Sequence, residues 1–235
     1  MLLVASAPGL AQAERSAPDL AYLQASLSTA APELNPQALQ RALAAMTCAI
    51  NHGEEPASRL AVIDFSLPSS EQRLWLFDLD TEALILRELV AHGQGSGDNY
   101  AKTFSNIEGS HQSSIGLFRT QESYFGQHGY SLRLDGLEAG INDQARRRAI
   151  VIHGADYVDA SWIARQGRIG RSQGCPAVPQ HAIKTVVDHL QGGQFLFAYY
   201  PDEQWIQTSA YLNCAGVSTQ NLLASGNTST NADSL

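Results

Sequence analysis

One cysteine and one histidine give this chain its clearest chemical signal. Residues 170–176 read Gly-Arg-Ser-Gln-Gly-Cys-Pro and place Cys175 in a glycine-rich loop, while His153 ends the apolar run 149–153. A thiol and an imidazole are the parts of a cysteine nucleophile and its general base. Because the two residues are 22 positions apart (175 − 153), this chemistry requires a fold that brings strand and loop together.

The residues around Cys175 suit acyl transfer. Gly174 has no β-carbon, so a substrate carbonyl can approach the backbone, and we expect the N–H groups of Gly174 and Cys175 to bind the developing oxyanion. Two features are expected to favour the thiolate: an ion pair with His153, and the N-terminus of a helix that Pro179 opens. Gly154 is grouped with these residues as a supporting position.

Two polar residues precede the cysteine. Arg171 offers a guanidinium that can hold a substrate carboxylate in bidentate fashion, and the Ser172 hydroxyl can orient the loop. The alternative for Arg171 is a solvated loop arginine. The alternative for Cys175 is a buried, inert thiol, since free cysteines often pack like small apolar residues.

The three cysteines, Cys48, Cys175 and Cys214, leave at least one thiol unpaired. A bridge between Cys48 and Cys214 would leave Cys175 free, although connectivity does not follow from sequence. A thiol redox protein is disfavoured, because no second cysteine lies near Cys175 as in Cys-x-x-Cys.

Composition describes an ordinary globular domain with extensions. A chain of 235 residues that is 44% hydrophobic can bury a core without metals or many disulfides. The net charge of −8 argues against a nucleic-acid partner, and the basic run 146–148 is interpreted as a solvated turn. No membrane-spanning run is present. Residues 1–13 end in Ala-Gln-Ala and are interpreted as the remnant of a secretion signal.

The pattern predicts a mainly β domain with flanking helices. A helix is expected over residues 35–53, with Asn35 as N-cap, and another after Pro179 that ends at Gly192. The glycine-rich stretch 91–116 should be a long functional loop, in which His92 and His111 are assigned structural or surface roles. Residues 216–235 are expected to be disordered. Alternating or apolar runs predict strands at residues 60–65, 74–79, 83–90, 116–120, 130–134, 149–153 and 195–200.

The loop pattern resembles that of the murein L,D-transpeptidase catalytic domain, in the YkuD-like superfamily branch with Gly-Arg-Ser-x-Gly-Cys-Pro-Ala. Here residues 170–177 carry that pattern, and residues 64–70, 95–100, 131–137 and 152–157 are similar to other stretches of the same branch. The similarity spans about residues 57–201. It implies a sandwich or barrel-like catalytic domain over residues 57–204, preceded by a helical extension (14–56) and followed by a mostly disordered tail (205–235).

The resemblance also implies a function outside the cytoplasm, in the periplasm or cell envelope. Cys175 would attack a peptidoglycan tetrapeptide, release D-alanine and pass the acyl group to a diaminopimelate amine, for cross-linking or lipoprotein attachment. His153 would be the base and later the acid, and the Gly154 carbonyl would orient its ring. Such enzymes use no metal or organic cofactor and are typically acylated by carbapenems.

This sequence departs from the wider superfamily near the nucleophile. Gln173 replaces a second histidine, and Pro176 and Ala177 follow the cysteine. Water can therefore replace the amine acceptor, which would make the protein an L,D-carboxypeptidase. A non-catalytic murein-binding module is a further alternative, disfavoured because Cys175 and His153 are both present. The oligomeric state stays open.

Overall fold

The structure, a computed structural model, describes residues 20–214. The chain begins there with two helices, α1 (Leu20–Ala30) and α2 (Pro36–Asn51). The Asn35 side chain accepts the Gln37 N–H at 2.9 Å, and proline at the first helical position fits because its missing N–H would have no helical partner. This confirms the predicted cap and helix. Within residues 20–214, no helix has the length and apolar character needed to cross a membrane.

Eight strands, three further α-helices and a short 3-10 helix (Gln94–Ser96) follow within the described residues. The strands are β1 (Arg59–Asp64), β2 (Leu74–Asp78), β3 (Ala83–Glu88), β4 (Gly116–Gly126), β5 (Gly129–Gly136), β6 (Val151–Gly154), β7 (Ala177–Val178) and β8 (Phe195–Tyr199). The helices are α3 (Ala160–Gln166), α4 (Ile183–Leu190) and α5 (Glu203–Thr208). Each predicted strand corresponds to one of the eight observed strands. The remaining strand, β7, has only two residues, too few to produce a periodic pattern in the sequence.

The strands form one mixed sheet in the order β3-β2-β1-β8-β4-β5-β6-β7. The strands β1, β2 and β3 form an antiparallel meander, while β1 runs parallel to β8 and β6 parallel to β7. Just past β3, the Ala91 N–H donates to the Ala177 carbonyl in β7 at 2.8 Å. The two edges of the sheet therefore meet. The predicted mainly β, barrel-like architecture is confirmed.

The folded unit is larger than the predicted catalytic domain. Leu27 in α1 and Leu43 in α2 are fully buried and share the core of the sheet. Beyond residue 204, Trp205 is buried and its indole N–H donates to Glu138 at 2.9 Å. The predicted tail 205–235 is therefore wrong for residues 205–214, because Trp205 fills core space. The predicted signal remnant 1–13 and the predicted disordered segment 216–235 lie outside the described residues.

The helix after the cysteine loop begins later than expected. Pro179 starts a turn, and α4 begins only at Ile183, eight residues beyond Cys175 (183 − 175). β7 lies between the cysteine and this helix. The expectation that this helix begins at Pro179 is therefore wrong, whereas its effect on a thiolate at Cys175 stays a prediction.

A disulfide joins Cys48 in α2 to Cys214, and their Cα atoms lie 5.9 Å apart. Cys175 is the one free cysteine. The bridge links residues 166 positions apart. It therefore fixes an N-terminal helix to the segment that follows α5.

Replacing both Cys48 and Cys214 by serine is expected to lower the free energy of unfolding by about 2–5 kcal/mol, because the unfolded chain regains the entropy of a long loop. Urea denaturation followed by tryptophan fluorescence measures this change. The alkylation rate of Cys175 in the folded variant serves as control and should stay at the wild-type value. An unchanged urea midpoint would contradict a stabilising role for the bridge.

Candidate active site

The pairing of β6 with β7 brings the predicted nucleophile and base to the same edge of the sheet. His153 is level with Ala177 in the parallel register, so Cys175, two residues earlier, lies beside Val151. The Val151 N–H donates to the Cys175 sulfur at 3.4 Å. Within residues 20–214 no hydrogen bond joins that sulfur to the His153 ring. The strand register nevertheless satisfies the requirement that strand and loop converge.

His153 is buried and held in one orientation. Its Nδ1 lies 3.0 Å from the Gly154 carbonyl oxygen. A carbonyl can only accept, so Nδ1 carries the proton in this bond and Nε2 of the neutral ring has a free lone pair. Burial lowers the pKa of His153, and the nearby His128 lowers it further. The imidazole is therefore a neutral ring with its basic nitrogen available, and Gly154 occupies the orienting position expected for it.

His128 was not singled out by the sequence. It is exposed in the turn between β4 and β5, and its ring stacks on that of His153 with centroids 4.5 Å apart. Two stacked imidazoles resist simultaneous protonation, because like charges at this distance disfavour each other. His128 thus acts on the charge of the candidate base from outside the core.

Ser172 fixes the turn that carries the cysteine. Its hydroxyl accepts the Gly174 N–H at 3.1 Å and donates to the Cys175 carbonyl at 2.6 Å. The expectation that the Gly174 N–H binds an oxyanion is therefore wrong, because that donor is already used. The Cys175 N–H makes no hydrogen bond within the described part of the chain, and it stays a candidate oxyanion donor.

The long loop predicted at 91–116 packs directly against the cysteine turn. The Gln94 N–H donates to the Ser172 carbonyl at 2.8 Å, and the Ser113 hydroxyl donates to the Gly174 carbonyl at 3.0 Å. A β-carbon placed on Gly93 would lie 2.8 Å from the Gly174 Cα. Two backbones approach here so closely that only glycine fits. The loop therefore holds the candidate nucleophile in place.

The two histidines of this loop have protein partners. His92 is fully buried, with Nδ1 2.7 Å from an Arg73 guanidinium nitrogen and Nε2 3.3 Å from the Gly97 carbonyl. Burial and the Arg73 charge lower the pKa of His92 to about 4. The His111 Nδ1 lies 2.9 Å from the Gln94 side-chain amide nitrogen. These contacts fit the structural roles expected for both histidines.

Arg171 contacts the same loop. Its Nη1 donates to the Gly97 carbonyl at 2.9 Å and to Asp98 Oδ1 at 3.0 Å. One edge of the guanidinium is thus used by the protein itself. The binding of a substrate carboxylate by Arg171 stays a prediction. Such binding would use the other edge of the guanidinium.

The electrostatic surroundings of Cys175 differ from those expected. Burial raises the pKa of the thiol, and the Val151 N–H and the positive charge of Arg148 act in the opposite direction. His153 is not among the groups that lower the pKa of this thiol, and the expected ion pair with it stays a prediction. Burial and the Cys175 charge raise the pKa of Tyr157 to about 12, so this phenol is neutral at ordinary pH.

The predicted solvated turn is wrong for one of its three arginines, Arg148. The run 146–148 was expected to be a solvated turn, and Arg146 and Arg147 do form surface ion pairs. Arg148 is half-buried because the buried strand β6 begins three residues later and draws the chain inward. That proximity to an apolar strand is the one local signal for its burial.

Comparison with known proteins identifies the family. Residues 30–199 match the family model of the L,D-transpeptidase catalytic domain. The chain belongs to this family. The matched region of this L,D-transpeptidase domain contains Cys175, His153 and the loop 91–116. No curated protein matches the chain in sequence.

Several solved structures are similar to this L,D-transpeptidase domain. An L,D-transpeptidase from Mycobacterium smegmatis is 12% identical, with a TM-score of 0.39 over 61% of this chain and 59% of its own. One from Stackebrandtia nassauensis is 12% identical, with a TM-score of 0.37 over 84% and 85%. L,D-transpeptidase 3 from Mycobacterium tuberculosis is 8% identical, with a TM-score of 0.39 over 61% of each chain. The chain thus spans 59% of the length of the first of these structures.

Replacing His128 by alanine is expected to raise the pKa of His153, because a neighbouring like charge is removed. A general base must be neutral, so activity falls as pH drops through this pKa. The acid limb of the rate of Cys175 acylation should therefore move to higher pH in the variant. Gln127→Ala, in the same turn, is the control, and an acid limb that stays in place would contradict the coupling of the two rings.

Proposed function

We propose that this protein is a peptidoglycan L,D-transpeptidase that works through an acyl-enzyme on Cys175. The observation that carries the proposal is the hydrogen bond from His153 Nδ1 to the Gly154 carbonyl, at the strand edge where Cys175 lies. It leaves Nε2 free to accept a proton. Membership of the L,D-transpeptidase family supports peptidoglycan as the substrate class.

In the acylation step, the thiol proton moves from Cys175 to His153 Nε2. The sulfur then attacks the carbonyl carbon of the L-centre in a tetrapeptide stem, and the carbonyl oxygen gains negative charge. The Cys175 N–H is the donor available to that oxygen. When the C–N bond breaks, His153 returns the proton to the leaving nitrogen, D-alanine departs, and a thioester stays on Cys175.

In the second step, the side-chain amine of a neighbouring diaminopimelate attacks the thioester. His153 removes a proton from this amine and transfers it to the departing sulfur. The products are a cross-linked peptide and the free thiol. If water attacks in place of the amine, the product is a tripeptide, and the protein is an L,D-carboxypeptidase.

The disulfide supports action outside the cytoplasm. Bridges such as Cys48–Cys214 persist in oxidising compartments and are rare where thiols are kept reduced. Peptidoglycan lies on the same side of the membrane. We therefore place the protein in the periplasm or cell envelope.

Incubation with a disaccharide tetrapeptide, followed by mass spectrometry, tests the proposal. Cross-linked dimer with free D-alanine is the expected product, whereas tripeptide with free D-alanine would indicate the carboxypeptidase. Cys175→Ala should abolish both products, and His153→Ala should slow acylation about 100- to 10,000-fold because the thiol loses its base. An undiminished amount of product from Cys175→Ala would contradict the mechanism.

Two controls accompany this experiment. His189→Ala, in the last turn of α4, should retain activity, and each variant should keep the wild-type urea midpoint. A carbapenem is expected to add its mass at Cys175. If no product forms and no carbapenem adduct appears, the murein-binding module becomes the better interpretation.

A further inference from the structure

The guanidinium of Arg148 is held by neutral partners alone. Nη1 donates to the Ser105 carbonyl at 2.5 Å and to the Ser114 hydroxyl at 2.6 Å. Nη2 donates to the Gln112 carbonyl at 2.6 Å and to the Ser110 hydroxyl at 3.2 Å. Among residues 20–214, no carboxylate forms an ion pair with it. A half-buried cation therefore lies here without a counter-charge.

This cation lies against the cysteine turn. The carbonyl of the next residue, Ala149, is 3.7 Å from the Cys175 sulfur. A β-carbon placed on Gly174 would be 3.5 Å from Arg148 Nη2. Ala149 has a φ of 54°, a left-handed conformation that residues with a side chain rarely adopt. Such strain persists where surrounding contacts enforce it, and it is concentrated at functional sites.

Removing a charge from water is unfavourable, and hydrogen bonds to neutral groups compensate it less fully than a counter-charge does. The described site contains one group that becomes an anion during the reaction, and this is Cys175. We propose that Arg148 is the fixed counter-ion of the Cys175 thiolate, a role that rests on the proposed acyl transfer. The guanidinium is permanently charged, whereas the His153 imidazole is charged only after it has taken the thiol proton.

In this arrangement His153 and Arg148 have different roles. His153 accepts and returns the proton, and Arg148 stabilises the negative sulfur at both points where it forms: before attack on the stem peptide and as the thioester breaks. The other titratable groups around the sulfur are His153, with His128 stacked on it, and Tyr157. Tyr157 is neutral at ordinary pH, so Arg148 is the permanent charge facing the thiol.

Alkylation of the oxidised full-length protein by iodoacetamide, measured against pH, tests this role because Cys175 is its single free thiol. Arg148→Gln should reduce the rate at pH 7 about tenfold or more, since each unit of thiol pKa changes the thiolate fraction tenfold. Its rate at alkaline pH, where the thiol is fully ionised, should match the wild type.

Arg148→Lys separates charge from scaffolding. Lysine keeps the cation but loses the planar fork that binds Ser105, Ser110, Gln112 and Ser114, so its alkylation rate at pH 7 should stay within about threefold of the wild type. Arg147→Gln is the matched control, because Arg147 is exposed and pairs with Glu108. It should alkylate at the wild-type rate throughout.

The proposal is overturned if Arg148→Gln alkylates like the wild type, or if Arg148→Lys loses as much rate as Arg148→Gln. In the second case Arg148 only scaffolds the loop that holds its four acceptors. If Arg148→Gln does not fold, Arg148→Lys still decides, because a tenfold loss in that folded variant contradicts the charge role. Alkylation requires no peptidoglycan, so a failure of the proposed enzymatic activity would be seen separately.

Discussion

The parallel pairing of β6 with β7 is the interaction on which the rest of the site depends. β7 has only two residues, yet it pairs on both sides, with His153 and Gly154 in β6 and with Ala91 just past β3. Backbone polar groups that are buried must find partners, and these pairings satisfy them. They also fix the distance between the strand that holds the imidazole and the turn that holds the thiol.

The second constraint is the lack of space behind the candidate nucleophile. Gly93 and Gly174 meet backbone to backbone, and hydroxyl groups of Ser113 and Ser172 bind the polar atoms of the turn. Such close packing leaves few alternative positions for the sulfur. The thiol is presented by a rigid turn even though most of the surrounding chain is irregular, and this suits a reaction that needs a fixed attack distance.

Sequence reasoning identified features that are encoded locally. The Asn35 cap, the strands β1–β3 and the cysteine loop each follow from residue types within a few positions. The surroundings of Arg148 could not be predicted in this way, because its acceptors lie 34 to 43 positions away. The stacking of His128 on His153 is equally non-local. The bond from the Gly174 N–H to the Ser172 hydroxyl is different, since a serine two residues before a glycine is itself a local turn signal.

The disulfide affects what happens to the protein when a protease cuts its chain. Cys48 and Cys214 close a covalent ring that contains every strand of the sheet and the loop 91–116. A single cut anywhere inside this ring leaves one covalently connected molecule, and the pieces stay packed around the shared core. Exposed turns such as the one that carries His128 are the usual places for a first cut. The chain can therefore be nicked at its surface without releasing either half of its candidate active site.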